Sequence, residues 1–495
     1  MSAGNSLGSH ITKRESLVPE LNYDIVSYIM ASCPRGDVSS LMKTCHAYYS
    51  IGVPILLRPS DGFHKGSKSF YDFMFATSPG PPDRFRYLLD LEARFDPNKP
   101  ETLIIPRLLL RAMNLERLSI HGADELMEFY PHVADSLTKL TEFRCWSVDT
   151  PGTGAIEWLK RTTAPIARLQ VVLFIDNNTS PVLDILPAIL KFADTLVSLE
   201  LVNALVGPNT SGILFLKVRE IKILMYHVFG YLTPGQNIIQ SFPNLEVLHV
   251  DILEMYEEEE GDGDEEAMDR EHDFNVGEVT RLGVPTRPLK ELQGNIISLY
   301  RGGYCSNWPV EKLTVDDIRC KPEFHMFLPI FDLIRPRVLS LNISYEIADI
   351  NDYLSLAFEA VSRVGTVEDL RLNFWFHFDY FFNPGTDAST YSDYIVPVVD
   401  DFLSELSMPL ELLSDTIKRL TLRCHTDSWD LDVGLIEVDA PAAGSLYFET
   451  IPSLESITFE LPQMVDVTEG GRVRCKRHEE TYTRKEETPR VELMG

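Results

Sequence analysis

From Leu115 to Phe459 the apolar positions of this chain return in one short frame: apolar, two residues, apolar, one residue, apolar. The frame reads LERLSI from Leu115, LTEFRC from Leu140, IARLQV from Ile166, LVSLEL from Leu196, VREIKI from Val218 and LEVLHV from Leu245. It resumes as VEKLTV from Val310, VLSLNI from Val338, VEDLRL from Val367, IKRLTL from Ile417 and LESITF from Leu454. Successive copies lie 25, 26, 30, 22, 27, 65, 28, 29, 50 and 37 residues apart. A degenerate copy, RYLLDL from Arg86, stands ahead of them as a candidate cap.

The last two apolar positions of the frame are two apart, so on a strand they point to one side and their neighbours to the other. A single strand of this kind cannot bury its apolar side alone. Strands stacked at a period of about 20–29 residues can, with a helix or loop returning behind each. Two return segments, VLDILPAILKFA before Leu196 and NDYLSLAFEAVSRV before Val367, have helical spacing. One copy would carry no weight, since strands of an unrelated α/β enzyme alternate too; eleven copies near one period do. The frame resembles the leucine-rich repeat, in an irregular long-repeat form without the Asn that marks many such repeats. The resemblance implies an α/β fold: a solenoid over residues 61–464 with a parallel β-sheet on its concave face.

Two steps are long. The 65-residue step holds twelve acids and one arginine between Glu254 and Asp273, a charge run expected to form a solvated loop over 254–275. Asp262-Gly263-Asp264 has the start of a calcium loop, but Ala267 stands at the sixth position, where the loop needs Gly. The 50-residue step opens with NFWFHFDYFF, seven aromatics in ten residues from Asn373. Alternation from Leu372 points Phe374, Phe376 and Phe378 inward and turns Trp375 and His377 to the concave side. Trp375 is then either packing for the insertion or an anchor for a partner. The tail from 465 to 495 is charge-dense and expected to be loosely ordered.

A different pattern opens the chain. After a mostly polar segment, residues 1–15, expected to be disordered, LVPELNYDIVSYIM places Leu21, Ile25 and Ile29 on one helical face. Val18, Val26, Tyr28 and Met30 lie off that stripe and are apolar too, and a helix so apolar around its girth is normally buried. A loop, ASCPRG, follows; Asp37 is a candidate N-cap for VSSLMKTCHAYYS, with Leu41, Cys45 and Tyr48 at helical spacing. Gly52 and Pro54 are expected to end that helix before ILLRP.

Residues 16–60 resemble an F-box, the adaptor-binding module of modular ubiquitin ligases. Leu17-Val18-Pro19-Glu20-Leu21 is similar to the family's L-P-x-E-L opening, and Leu41 with Cys45 and a following aromatic resembles its second helix. Val18 and the Tyr48-Tyr49 pair depart from the usual residues. The resemblance implies that Leu17, Pro19, Leu21, Ile25, Ile29, Leu41, Cys45 and Tyr48 contact a Skp-type adaptor, which links the chain to a cullin scaffold. The remaining apolar face of the first helix would pack on the first repeats.

Composition narrows the partners. The formal charge of −29 argues against nucleic acid and against an anionic membrane surface. Seven cysteines with no C-x-x-C pair suggest reduced thiols and a cytoplasmic or nuclear location. There is no apolar leader at the N-terminus and no apolar run of membrane-spanning length, so the N-glycosylation sequons at Asn177 and Asn342 carry no meaning. Gly4-Asn5-Ser6-Leu7-Gly8 matches G-x-S-x-G without the strand and helix that motif requires. Cys475-x-x-His478 and Cys424-His425 have no second half for zinc. No catalytic residue, metal or cofactor is therefore expected. An enzyme with its site in the 373–416 insertion is one rival, and a repeat scaffold with no ubiquitin role is the other.

The solvent-facing positions of the eleven copies can be read off the frame. Seven of these 22 positions are basic, Arg117, Arg144, Arg168, Lys222, Lys312, Arg371 and Arg419, and four are acidic. The chain's composition would place about two and three there. These seven, with Trp375, form the expected binding face for a protein substrate, and the basic lean suits an acidic or phosphorylated segment.

Overall fold

In a computed structural model, the structure describes residues 23–57, 68–76, 83–147, 153–173, 183–226, 234–253, 265–283, 287–304, 308–318, 326–344, 350–376, 402–413, 415–426, 440–467 and 473–484. Four helices come first: α1 (Tyr23–Ser32), α2 (Arg35–Met42), α3 (His46–Leu56) and α4 (Lys68–Phe75). The strands follow, beginning with β1 (Asp90–Arg94), β2 (Arg117–His121), β3 (Glu142–Ser147), β4 (Arg168–Leu173) and the short β5 (Leu183–Asp184). Next are β6 (Ser198–Val202), the short β7 (Ala204–Leu205), β8 (Glu220–Tyr226), β9 (Val247–Leu253), β10 (Leu289–Asn295) and β11 (Val310–Ile318). The chain closes with β12 (Val338–Ser344), β13 (Asp369–Phe376), β14 (Arg419–Thr426), β15 (Ser456–Val467) and β16 (Val473–Thr483).

The fold is mixed α/β around one large, mostly parallel sheet. Among the described residues fourteen strands lie side by side in chain order, with only the β5–β7 pair set apart. Every neighbour is parallel until the last, where β16 returns antiparallel to β15. Parallel neighbours need a crossover between them, and each return segment supplies one; Thr153–Arg161 and Ile350–Val364 are the clearest helices.

The apolar frame sets which side is core. Leu118 and Ile120, Phe143 and Cys145, Leu248 and Val250, and Leu370 and Leu372 are all buried in one continuous cluster. The entry positions Leu115, Leu140, Ile166, Leu196, Val218 and Leu245 are buried with them. All eleven frames fall on strands, and the degenerate copy ends in β1, which pairs with β2 at the sheet edge.

Several expectations need correction. The frame overlooks β10, whose apolar positions are Leu289, Leu292 and Gly294; the glycine breaks the pattern. A Cβ on Gly294 would overlap the Val250 carbonyl oxygen, so the strand is closely packed there by necessity. The VLSLNI frame is misplaced by two residues: Leu339 aligns with Leu370 and Ser340 with Arg371, so buried Pro336 takes the entry position. The acidic segment is not loop throughout, because Glu265–Leu282 is a helix. It buries His272, Asn275 and Val279 at helical spacing and docks through polar contacts. The His272 ring stacks on Tyr300 at 3.9 Å, and its Nδ1 donates to the Tyr300 carbonyl at 2.7 Å. Tyr300 Oη donates to Asp269, and Asn275 to the Arg301 carbonyl.

The tail also differs, since residues expected to be loose form the end of β15 and all of β16. The segment before Leu196 holds one α turn, Leu186–Ile189, and one 3-10 turn, Leu190–Phe192, in place of a longer helix. In the N-terminal module the second helix is broken. Pro34, not Asp37, caps α2, and Cys45 starts α3, its Sγ accepting from the Tyr48 amide. Gly52 and Pro54 lie inside α3 instead of ending it. Gly52 faces Met42, where any Cβ would overlap the Met42 side chain.

Residues 1–22 lie outside the described residues, and with them the expected disordered segment and Gly4-Asn5-Ser6-Leu7-Gly8. The same holds for the calcium-like triplet at Asp262 and for His377 and Phe378.

Candidate functional site

Two surfaces collect the expected binding residues. The first is α1, which is two-sided. Val26 and Met30 are buried, Met30 completely. Its methyl end approaches Gly52 of α3, so the inner face packs on α3. Tyr23, Ile25, Tyr28 and Ile29 are 57%, 51%, 77% and 45% exposed. Ile25, Tyr28 and Ile29 share the side opposite Val26 and Met30, and apart from Tyr23 the other large apolar residues described in the module are partly or wholly covered. Leu41 and Tyr48 are half-buried against the module's core, whereas Cys45 is exposed. Leu17, Pro19 and Leu21 lie outside the described residues.

Arg84 joins this helical module to the sheet. It is buried just ahead of β1 and donates through Nη1 to the carbonyls of Phe73 and Ala76. Its guanidinium lies 4.7 Å from the Phe73 ring centre and 5.5 Å from that of Tyr49 on α3. These contacts tie α3 and α4 to the segment just ahead of β1.

The second surface is the polar face of the sheet, and here strand register changes the charge count. Asp90 and Glu92 of β1 align with Arg117 and Ser119, and Glu291 and Gln293 of β10 align with Lys312 and Thr314. Adding these strands and correcting β12 gives seven basic and seven acidic residues over the two rows. The face is balanced in sign, not basic.

Most of its cations are paired. Arg117 meets Asp90 at 3.4 Å, Arg144 meets Glu142 at 2.9 Å, Lys222 meets Glu200 at 3.7 Å and Lys312 meets Glu291 at 2.6 Å. Arg371 and Arg419 share Asp369, each at 3.3 Å. Among the described residues Arg168 alone of the seven has no carboxylate partner, and it lines an open groove of about 320 Å³ with Arg144, Ser198, Glu200 and Glu220. Asp90 and Glu291, two of the partners, sit on strands that the repeat frame missed or truncated.

Further along the sheet the polar side chains bind one another. Asp316 accepts from Gln293 at 2.7 Å and from Asn342, and Asn373 donates to Ser340 at 3.2 Å and to Asn342 at 2.5 Å. His249 Nε2 lies 3.8 Å from Asp316. Burial holds the His249 imidazole below its ordinary pKa, and the Asp316 charge opposes that only in part. Thr314, Ser340, Asp369 and Asn373 are nearly inaccessible despite lying on the polar face. Gln293, Asp316, Asn342, Asn373 and Ser340 thus bind one another, whereas among the described residues His249 Nε2 and Thr314 Oγ1 are buried with no hydrogen-bond partner.

At the C-terminal ends of the strands, two Trp–His stacks cross neighbouring strands. His121 and Trp146 are 4.2 Å apart at 8°, and Trp375 and His425 are 4.2 Å apart at 12°. Trp375 is 40% exposed, whereas Phe374 is fully buried, as alternation required. Phe374 packs edge-on against Phe402 of the 402–411 helix, which anchors the described part of the 373–416 insertion.

Among the described residues no three His, Cys, Asp or Glu side chains converge as a metal site, and no helix is long and apolar enough to cross a membrane. Burial pushes the Cys424 thiol up to about 12 and the Cys145 thiol higher still, so neither is a poised nucleophile. No protein-family model matches the chain, and no curated protein matches it.

Proposed function

We propose that this chain is the non-catalytic substrate receptor of a modular ubiquitin ligase. In this reading α1–α3 form an F-box that docks a Skp-type adaptor, and through it a cullin scaffold. The stacked strands form a leucine-rich-repeat solenoid whose polar face receives a protein substrate. The action is positional: the chain holds substrate at a fixed place while other subunits transfer ubiquitin.

The observation that carries the reading is the two-sided α1. Its inner residues Val26 and Met30 fill the module's own core, while Ile25, Tyr28 and Ile29, which share the opposite side of the helix, remain exposed. Covering what is exposed of these three side chains, a little over half of each on average, would contribute roughly 3–5 kcal/mol before entropic costs, a substantial part of a subunit contact. Support for the repeat reading comes from one strand per repeat, in chain order, with crossovers behind. The Arg84 tether suits the mechanism, because a receptor must keep a constant offset between adaptor and substrate.

The test is co-purification of the Skp-type adaptor and its cullin with the full chain and with Ile25→Asp/Ile29→Asp. The reading expects capture by the native chain and none by the variant, with the variant's melting unchanged. Equal capture by both would refute it.

A further inference from the structure

The groove on the polar face holds two charges that the fold leaves unanswered. It is open, about 320 Å³, and spans β3, β4, β6 and β8. Of its six charged lining residues four are satisfied: Glu142 by Arg144, Glu200 by Lys222 and Arg219 by Glu246. Among the described residues Arg168 has no side-chain partner within ion-pair distance, its register neighbour Glu142 being taken by Arg144, and Glu220 accepts only a long hydrogen bond of 3.4 Å from Ser198 Oγ. Both are exposed.

Their spacing is set by the sheet. Arg168, Ser198 and Glu220 are register partners on consecutive strands. Two strand separations of about 4.8 Å put the Arg168 and Glu220 backbones roughly 9.6 Å apart on one face. Ser198, a short side chain, lies between them and leaves the middle of the groove open. An opposite pair held apart over an open floor is complementary to a ligand with the reverse pair at the same distance.

We infer that this groove binds a protein segment lying across the strands in polyproline-II conformation, with an acidic and a basic side chain three residues apart. That helix rises about 3.1 Å per residue with three residues per turn, so residues i and i+3 share a face roughly 9.3 Å apart. A segment in β conformation fits worse, because its residues three apart face opposite sides. The acidic residue sits over Arg168 and the basic one over Glu220, while exposed Val197 supplies an apolar floor for the segment's backbone and ring carbons. This deepens the receptor reading, on which it rests for the ligand being a protein segment. It also replaces an acidic substrate with one of mixed charge.

A random twelve-residue peptide display library panned on the immobilised full chain tests it. The native chain is expected to enrich one order of acid and base at a spacing of three. Arg168→Glu alone and Glu220→Arg alone should each lower capture of a selected peptide at least tenfold. The double variant should enrich the opposite order of charges, which loss of folding cannot mimic. No enrichment, enrichment of acids alone, or an unchanged motif in the double variant would each overturn the assignment. Binding of the Skp-type adaptor, measured on the same variants, is expected to be untouched. If the adaptor binds none of them while the charge order still inverts, the ligase reading fails and the groove assignment stands. If the adaptor binds all while no motif emerges, the reverse holds.

Discussion

Trp375 of β13 lies flat on His425 of β14, ring centroids 4.2 Å apart and planes 12° from parallel. The two residues are register partners, so the parallel ladder itself sets the stack. The same device joins His121 and Trp146 near the other end of the sheet. Trp375 therefore contributes to packing although 40% of it is exposed. Trp375→Ala is expected to cost about 1 kcal/mol, read as a lower midpoint in urea denaturation. An unchanged midpoint would leave the exposed ring free for a partner.

The two faces of α1 should separate stability from binding. Met30→Ala removes a fully buried side chain and is expected to destabilise the N-terminal module by about 2–5 kcal/mol. Ile25→Asp and Ile29→Asp change exposed positions and should shift stability by no more than about 0.5 kcal/mol. Denaturation followed by hydrogen exchange on α1–α3 distinguishes the two classes. A large loss from Ile25→Asp would mean that this face is covered within the chain.

Gly294 is the sequence's least conspicuous constraint. Its strand lies close enough to β9 that a Cβ would meet the Val250 carbonyl oxygen, so Gly294→Ala forces two paired backbones apart. Overpacking of this kind costs about 1–3 kcal/mol, and a melting-temperature scan of the variant measures it. An unchanged melting temperature would show that the strands can part without penalty.

That glycine also explains what the sequence could and could not reveal. Eleven strands were legible because Leu118, Phe143, Leu248 and their equivalents repeat the spacing that buries them. β10 was hidden because close backbone approach put Gly294 where the pattern wants an apolar side chain. β12 was read two residues off because Val338, on the polar face, imitates the entry position that Pro336 fills. The helix at Glu265–Leu282 was missed for another reason: His272 and Asn275 dock it by hydrogen bonds, which leave no apolar stripe to read. At the candidate surfaces, composition suggested a basic face, but charge pairing across strands depends on register. Asp90 and Glu291 could be set opposite Arg117 and Lys312 only once the strands were aligned. On α1 the apolar pattern points to burial all round; Ile25 and Ile29 are marked as contacts through the family resemblance, and the more exposed Tyr28 is not.

Acid should weaken the fold through His249. Burial holds its pKa below the ordinary 6.5, with Asp316 opposing, and Lys222, Glu200 and Glu291 add smaller effects. The folded state thus binds fewer protons than the unfolded chain between the two pKa values, and stability rises with pH there. Its contribution is complete above 6.5 and is lost as pH falls through that value toward the folded pKa. Urea midpoints taken from pH 7.5 to 5.0 should decline below 6.5, and His249→Asn should flatten part of that slope. His121, lowered in the same direction by burial, accounts for a remainder. An identical slope in His249→Asn would contradict the assignment.

The most direct test of the receptor reading is a titration of purified Skp-type adaptor into the purified full chain by calorimetry, beside Ile25→Asp/Ile29→Asp. The reading predicts one adaptor per chain, a negative heat-capacity change from apolar burial, and no measurable heat with the variant. An adaptor that does not bind the native chain, or binds both proteins alike, would contradict it.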